Sequence, residues 1–133
     1  MAAQVRLPSG VQRDLPKLRI RNRSKDTVLA DRANIANTSK LRRTGLLEHA
    51  ALHAGEGLWI TPCEAVHTIG MKFPIDVLFL DRKKKVLKVR SNMGKWRMAA
   101  SLMAHSVLEL PSGTALATKT AKGDELDFET YED

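Results

Sequence analysis

Apolar and polar residues alternate along much of this chain with a period near two. Leu18, Ile20 and then Val28 are apolar, while Arg19, Arg21 and Arg23 point the other way. That is the pattern of a strand with one wet face. The polar run Asn22-Arg23-Ser24-Lys25-Asp26 predicts a turn into a second strand over residues 27–33. Leu58-Trp59-Ile60 reads as a brief strand stopped by Pro62, and residues 64–68 as another. Residues 75–80, Ile-Asp-Val-Leu-Phe-Leu, read as a buried strand. Val86-Leu87-Lys88-Val89 returns after the polar turn at residues 82–85, residues 106–110 give a further strand, and residues 125–130 the last.

Helical signals are few. Thr38 or Ser39 can cap a helix carrying Leu41, Leu46 and Leu47, which Gly45 keeps short, and residues 114–119 suit a single helical turn. About seven short strands with turn signals between them predict a mainly β fold, a single-domain β-sandwich or barrel with one or two short helices. Pro8, Gly10 and Pro16 break any periodicity near the start. The expected layout is a flexible N-terminal arm over 1–17, a single β domain over 18–130 and an acidic tail over 131–133.

At 133 residues the chain is long enough for a real core. No apolar run approaches the roughly 18 residues of a membrane span, and the first thirty residues lack the apolar segment of a signal peptide. A cytoplasmic protein without membrane attachment is expected. The lone Cys63 excludes an internal disulfide. The net charge of +7 is unevenly spread. Eleven Lys or Arg stand against three acids in the first 43 residues, and the last ten hold six acids and no base. Such asymmetry can steer a protein toward anionic partners. Aromatic residues do not interleave with the bases, however, so a nucleic-acid-binding or adaptor role ranks below the others. The basic run Arg82 to Lys85 reads more simply as a solvated hairpin turn.

Candidate chemistry concentrates between Trp59 and Asp81. Cys63 and His67 suggest a thiol–imidazole dyad, but in a strand their Cα atoms would stand about 13 Å apart. His49 and His53 share the i,i+4 spacing of a helical metal pair, although Gly55-Glu56-Gly57 breaks any helix there. No metal and no cofactor are assigned. Asp76 shares a strand face with Leu78 and Leu80, away from Ile75, Val77 and Phe79. A carboxylate buried there needs a partner, since an unpaired one costs several kcal/mol, and Arg42, Lys72 and His67 are the candidates. Gly70 suggests an unusual backbone angle or a close approach, and Met71 suggests core or an adaptable wall. Trp59 and Trp96 suit core or rim anchors.

Several stretches together resemble a known family. They are Thr38 with Arg42-Arg43-Thr44-Gly45-Leu46-Leu47, then Cys63 with Val66-His67-Thr68, Gly70-Met71-Lys72-Phe73-Pro74-Ile75-Asp76-Val77 and Phe79-Leu80-Asp81, then Val107-Leu108-Glu109-Leu110-Pro111 with Gly113, and finally Gly123-Asp124 with Leu126. Their order and wording resemble the domain-of-unknown-function 192 family over about residues 18–128. The resemblance implies a compact β-sandwich or barrel and no established activity. The basic turn after Asp81 departs from a Gly-containing hairpin in many relatives.

The function expected is binding of a small polar or anionic molecule in a pocket lined by residues 59–81, with Arg42, Cys63, His67, Thr68, Met71 and Asp76 as contacts. The alternative is a hydrolase or transferase using His67 or Asp76 as base, with Cys63 as a conceivable nucleophile.

Overall fold

The computed structural model of this chain describes residues 16–131. Its elements are β1 (Lys17–Asn22), β2 (Thr27–Ala36), α1 (Ser39–Thr44), β3 (Glu56–Ile60), β4 (Ala65–His67), β5 (Ile75–Leu80), β6 (Val86–Met93), β7 (Met98–Ala100), β8 (Ser106–Pro111), α2 (Thr114–Ala117) and β9 (Leu126–Tyr131). The protein is mainly β, as the alternation predicts. Only β7, a three-residue strand too short to show alternation, has no counterpart in that pattern. Of the arm expected over 1–17, all but Pro16 and Lys17 lies outside the described residues, and Lys17 already pairs in β1. Of the acidic tail only Tyr131 is described, at the end of β9.

Seven strands form one mixed sheet in the order β6-β5-β8-β3-β2-β1-β9, and β4 and β7 form a separate two-stranded ribbon. The β2–β3 pair is parallel, whereas the other ladders are antiparallel. Parallel neighbours need a crossover of about a dozen residues or more. Residues 37–55 supply it and carry α1 with them. The sheet curls until its edge strands touch where both begin. Lys85 bridges Glu125, the Val86 N–H donates to the Asp124 carbonyl (2.8 Å) and the Leu126 N–H to the Lys84 carbonyl (3.0 Å). Contact at one point, without a ladder, leaves the sheet short of a closed barrel.

Both faces of the central strands are covered. Every residue of β5 is buried, and all of β8 except Pro111. Leu78, Leu80, Leu108 and Leu110 join the cluster inside the curl with Leu18, Ile20 and Ala115 of α2. Ile75, Val77, Phe79 and Val107 join a second cluster on the outer face with Leu41, Leu46, Met71 and Ala99, which the crossover and the ribbon lay over the sheet. The period-two alternation of β5 thus divides its side chains between two cores.

Local signals act as the residue types predict. Thr38 caps α1 by accepting from the Leu41 N–H at 3.1 Å, and Gly45 ends it with φ +49°. Asp81 accepts from the Lys83 and Lys85 N–H groups at 2.8 and 2.9 Å, closing the turn that carries the basic run. In that turn the Lys84 ammonium lies over the rings of Trp59 and Phe128, at 5.1 and 5.4 Å from their centroids. The rings of Trp59 and Phe128 meet edge to face.

The charge asymmetry of the sequence shrinks once the chain folds. β1 and β9 are neighbours, so Arg19 pairs with Glu129, Arg21 with Asp26 and Asp127, and Arg23 with Glu125 and Asp127. The acids at the end of the sequence therefore neutralise the arginines near its beginning. These are exposed pairs, worth at most about 1 kcal/mol each. They offset Arg19, Arg21 and Arg23 as a basic face for a polyanion.

Candidate functional site

A cavity of about 330 Å³ opens between α1, the turn that follows it, β4 and the outer face of β3 and β8. Four of the six expected contacts line it: Arg42, Cys63, His67 and Met71. Each comes from a different segment. Arg42 lies in the last turn of the short α1, which the Thr38 cap fixes in place, and its N–H donates to the Thr38 carbonyl at 2.9 Å. Cys63 follows Pro62 in the connection from β3 to β4, with its N–H bonded to the His105 carbonyl at 2.9 Å. His67 ends β4 with its side chain exposed. Met71 is buried in the outer-face cluster.

A further polar wall is Glu109, which the sequence reading did not single out. It sits in β8, opposite Leu58 of β3 and Val77 of β5. Only 5% of the residue is exposed, and that edge faces the cavity. Among the described residues no donor hydrogen-bonds its carboxyl and no base ion-pairs with it. Burial pushes its pKa up to about 7, because taking a carboxylate out of water favours its neutral form. Buried carboxyls are usually hydrogen-bonded or paired, so a lone one against a cavity marks a place where structure alone gives no reward. The signal was present in the sequence. Val-Leu-Glu-Leu sets the Glu within an apolar run, so a strand covered on both faces buries it, the reasoning that picked out Asp76.

Cys63 lies within electrostatic reach of both ends of the cavity. Burial raises its pKa most; Glu109 raises it further and Arg42 lowers it. The net shift is upward, so the thiol is held protonated rather than activated. Its Sγ–H donates to the Ala65 carbonyl at 3.2 Å and not to His67, so the two do not form the dyad that sequence proximity suggests.

The structure places the remaining expected contacts elsewhere. Thr68 is fully buried and ties the ribbon to the segment before β7: its Oγ1 donates to the Gly94 carbonyl (2.5 Å) and accepts from the Arg97 N–H (2.9 Å). Asp76 is fully buried on the inner face of β5. Its carboxylate accepts from three backbone N–H groups: Asn92 at 2.7 Å, Gly113 at 3.1 Å and Ala115 at 2.8 Å. Arg42, Lys72 and His67, the partners expected of it, are not among them. Neither Thr68 nor Asp76 lines the cavity.

His49 and His53 fall in irregular backbone rather than on one helix face. Among the described residues no three His, Cys, Asp or Glu side chains cluster as metal ligands. Gly70 has φ +85°, the backbone angle its position suggests. Trp96 is 70% exposed and does not line the cavity.

A larger groove of about 680 Å³ lies on the other side of Cys63, between Pro62, the turn at 81–83 and the exposed Leu102 and Met103. Its polar walls are solvated or already bonded, as Asp81 is. The smaller cavity, with a buried and unpartnered carboxyl, is the stronger candidate despite its size.

The family profile described as DUF192, Uncharacterized ACR, matches residues 20–128. Two solved structures share the fold. A protein of unknown function from Novosphingobium aromaticivorans is 21% identical with a TM-score of 0.76, over 96% of this chain and 93% of that one. A Sinorhizobium meliloti protein described as "a putative transcription regulator" is 19% identical with a TM-score of 0.77, over 89% of this chain and 96% of that one. No curated protein matches the chain. At these identities the likeness establishes fold alone. The family match covers most of the sequence, and the chain belongs to the DUF192 family.

Proposed function

We propose that this DUF192 protein binds a small polar or anionic molecule in the cavity lined by Arg42, Cys63, His67, Met71 and Glu109. The curled sheet, an incomplete barrel in this reading, forms the floor, and α1 with the β4–β7 ribbon forms the walls. One observation carries the proposal. Glu109 is buried, unpartnered among the described residues and turned toward a cavity whose mouth holds Arg42. Arg42 has no ion pair among the described residues, so its planar fork of donors is open to a ligand. Polar groups converging on a cavity with apolar walls are the usual makeup of a small-molecule site, and perturbed carboxyls favour such sites.

A hydrolase or transferase gains less support. Its base would be His67 or Asp76, but Asp76 is committed to three amides on the opposite face, and Cys63, the candidate nucleophile, is held as a thiol bonded to the Ala65 carbonyl. The regulatory role suggested for the Sinorhizobium relative finds a smaller basic face here, since β9 offsets β1. Among the described residues no helix is long and apolar enough to cross a membrane.

The test is thermal protection of the wild-type chain by a panel of small carboxylates, hydroxy acids, amino acids and phosphate esters. Binding to the folded state alone raises the melting temperature. We expect at least one compound to protect, and Arg42→Met to abolish that protection. A panel that protects nothing, or protection equal in wild type and Arg42→Met, would count against the site.

A further inference from the structure

The cavity has two chemically different ends. At its mouth α1 supplies Arg42 and Arg43, and β4 supplies His67. At its floor the only acid is Glu109. β3 and β5 flank that floor with Leu58 and Val77, which carry no charge. Arg42 and Glu109 form no ion pair, and burial is the sole cause of the Glu109 shift. Both nevertheless act on the Cys63 thiol that stands within reach of each. Both ends line one cavity of about 330 Å³, so a single small ligand can reach both, and they form no ion pair that would satisfy each other.

Three kinds of ligand leave one end unpaired. A simple anion at Arg42 adds negative charge near Glu109 and gives it no donor. A simple cation at Glu109 meets Arg42 and Arg43. A neutral molecule leaves the guanidinium without its counter-charge. A molecule with an anionic group at one end and an ammonium at the other meets both needs. We propose that the ligand is a small zwitterion of the amino-acid type, its carboxylate held by Arg42 and its ammonium by Glu109. The inference rests on the pocket reading above and narrows it to one chemical class.

Proton linkage gives the class its own mark. An ammonium favours ionised Glu109, so binding expels a proton wherever the free carboxyl holds one. Affinity for a zwitterion must then rise as pH climbs toward neutrality and level off above it. For an oxyanion lying against Glu109 the sign reverses, because such a ligand is best received by the protonated carboxyl. With the free Glu109 pKa near 7, the zwitterion should bind about tenfold or more tightly at pH 7.5 than at pH 5.5.

The experiment uses the full chain and a length ladder: glycine, 3-aminopropanoate, 4-aminobutanoate and 5-aminopentanoate, each with its matched alkanoate and alkylamine. Calorimetric titration at constant ionic strength is run at pH 5.5 and 7.5. One ladder member should bind at least tenfold more tightly than either half-molecule and tighten with pH. Arg42→Met and Glu109→Gln should each weaken it about tenfold, and Glu109→Gln should also erase the pH dependence. Alkanoates that bind as well as their amino counterparts and weaken as pH rises would overturn the zwitterion while sustaining an anion pocket. Silence across the ladder and its halves would also overturn the zwitterion. The pocket itself then stands if the broader panel gives Arg42-dependent protection, and falls with the zwitterion if it does not.

Discussion

Asp76 and Glu109 are two buried carboxyls on adjacent strands, one on each face of the same sheet, and they have met opposite fates. Asp76 of β5 faces the interior of the curl, where three backbone N–H groups from the end of β6 and the start of α2 converge on it. Glu109 of β8 faces outward, where crossover and ribbon bury it without offering a donor. The first is a joint in the architecture: it binds otherwise orphaned amides and anchors α2 to the sheet. The second costs stability in the free protein, which is the usual mark of a group kept for a ligand. Burial of a charge does not by itself indicate function; the tally of partners does.

The contrast is broken most forcefully by removing the satisfied member. Asp76→Ala leaves three backbone N–H groups without their acceptor, that of Ala115 buried, and we expect a loss of about 3 kcal/mol in urea unfolding, typical of stripping the acceptor from a charged hydrogen-bond set. Ligand protection of whatever protein still folds should persist, because Asp76 does not line the cavity. A loss below about 1 kcal/mol would mean that those bonds do not hold the carboxylate in solution.

Removing the unsatisfied member should do the reverse. Glu109 has a folded pKa of about 7 against an ordinary value of 4.5. Between those values the folded protein binds more protons than the unfolded one. Stability therefore falls as pH rises through that window, and the full loss is in place above it. The separation corresponds to a loss of about 3 kcal/mol. Glu109→Gln keeps the shape without the charge, so it should stabilise the protein by up to that amount at pH 8 and change little at pH 4.5. Asp124 works in the opposite sense. Burial opposes its ionisation, but bonds from Asn22, Lys25 and the Ala121 N–H outweigh this and lower its pKa. Its contribution is present above its unfolded pKa and lost as pH falls through its folded one. Unfolding measured at pH 4.5, 6 and 8 follows Glu109 alone, since the Asp124 contribution stays constant there and is lost only at lower pH. A Glu109→Gln variant less stable than wild type at pH 8 would show that Glu109 has a partner after all.

The same two residues mark how far the sequence could be read. Alternation, short apolar runs and turn signals located eight of the nine strands, and the strand period placed Ile75, Val77 and Phe79 on one face with Asp76 on the other, because side-chain direction in a strand is local. The cap at Thr38 or Ser39 was legible for the same reason, but Leu46 and Leu47, read as helical, lie beyond α1, which Gly45 ends. Pairing was not legible. Nothing near β1 announces that its arginines will meet the acids of β9, or that β2 and β3 will run parallel. Nor could it be foreseen that the amides at 92, 113 and 115 would claim Asp76, when three charged side chains looked like its natural partners. Arg42, Cys63, His67 and Met71 are expected contacts from the sequence, and three-dimensional packing brings them to one cavity. Glu109 was passed over although its setting in Val-Leu-Glu-Leu is as telling as that of Asp76. A strand with both faces covered was required to give it meaning, and that covering comes from residues 37–55 and the β4–β7 ribbon, remote in the sequence.

Cys63 sharpens the comparison on a finer scale, since it reports the charge at both ends of the cavity without belonging to either. Burial holds its thiol above the ordinary pKa, so alkylation by iodoacetamide at pH 7 should be slower than that of a free thiol. Arg42 lowers the thiol pKa and Glu109 raises it. Arg42→Met should therefore slow the reaction further, and Glu109→Gln should speed it, each by about twofold to threefold at low ionic strength. Asp76→Asn should leave the rate unchanged, because that carboxylate is absent from the groups acting on Cys63. Opposite signs at Arg42 and Glu109, with none at Asp76, would place the two cavity charges around Cys63 and the third outside its reach. Equal slowing by both cavity variants would instead mean that each acts by loosening the packing, and the electrostatic division between the two faces would fail.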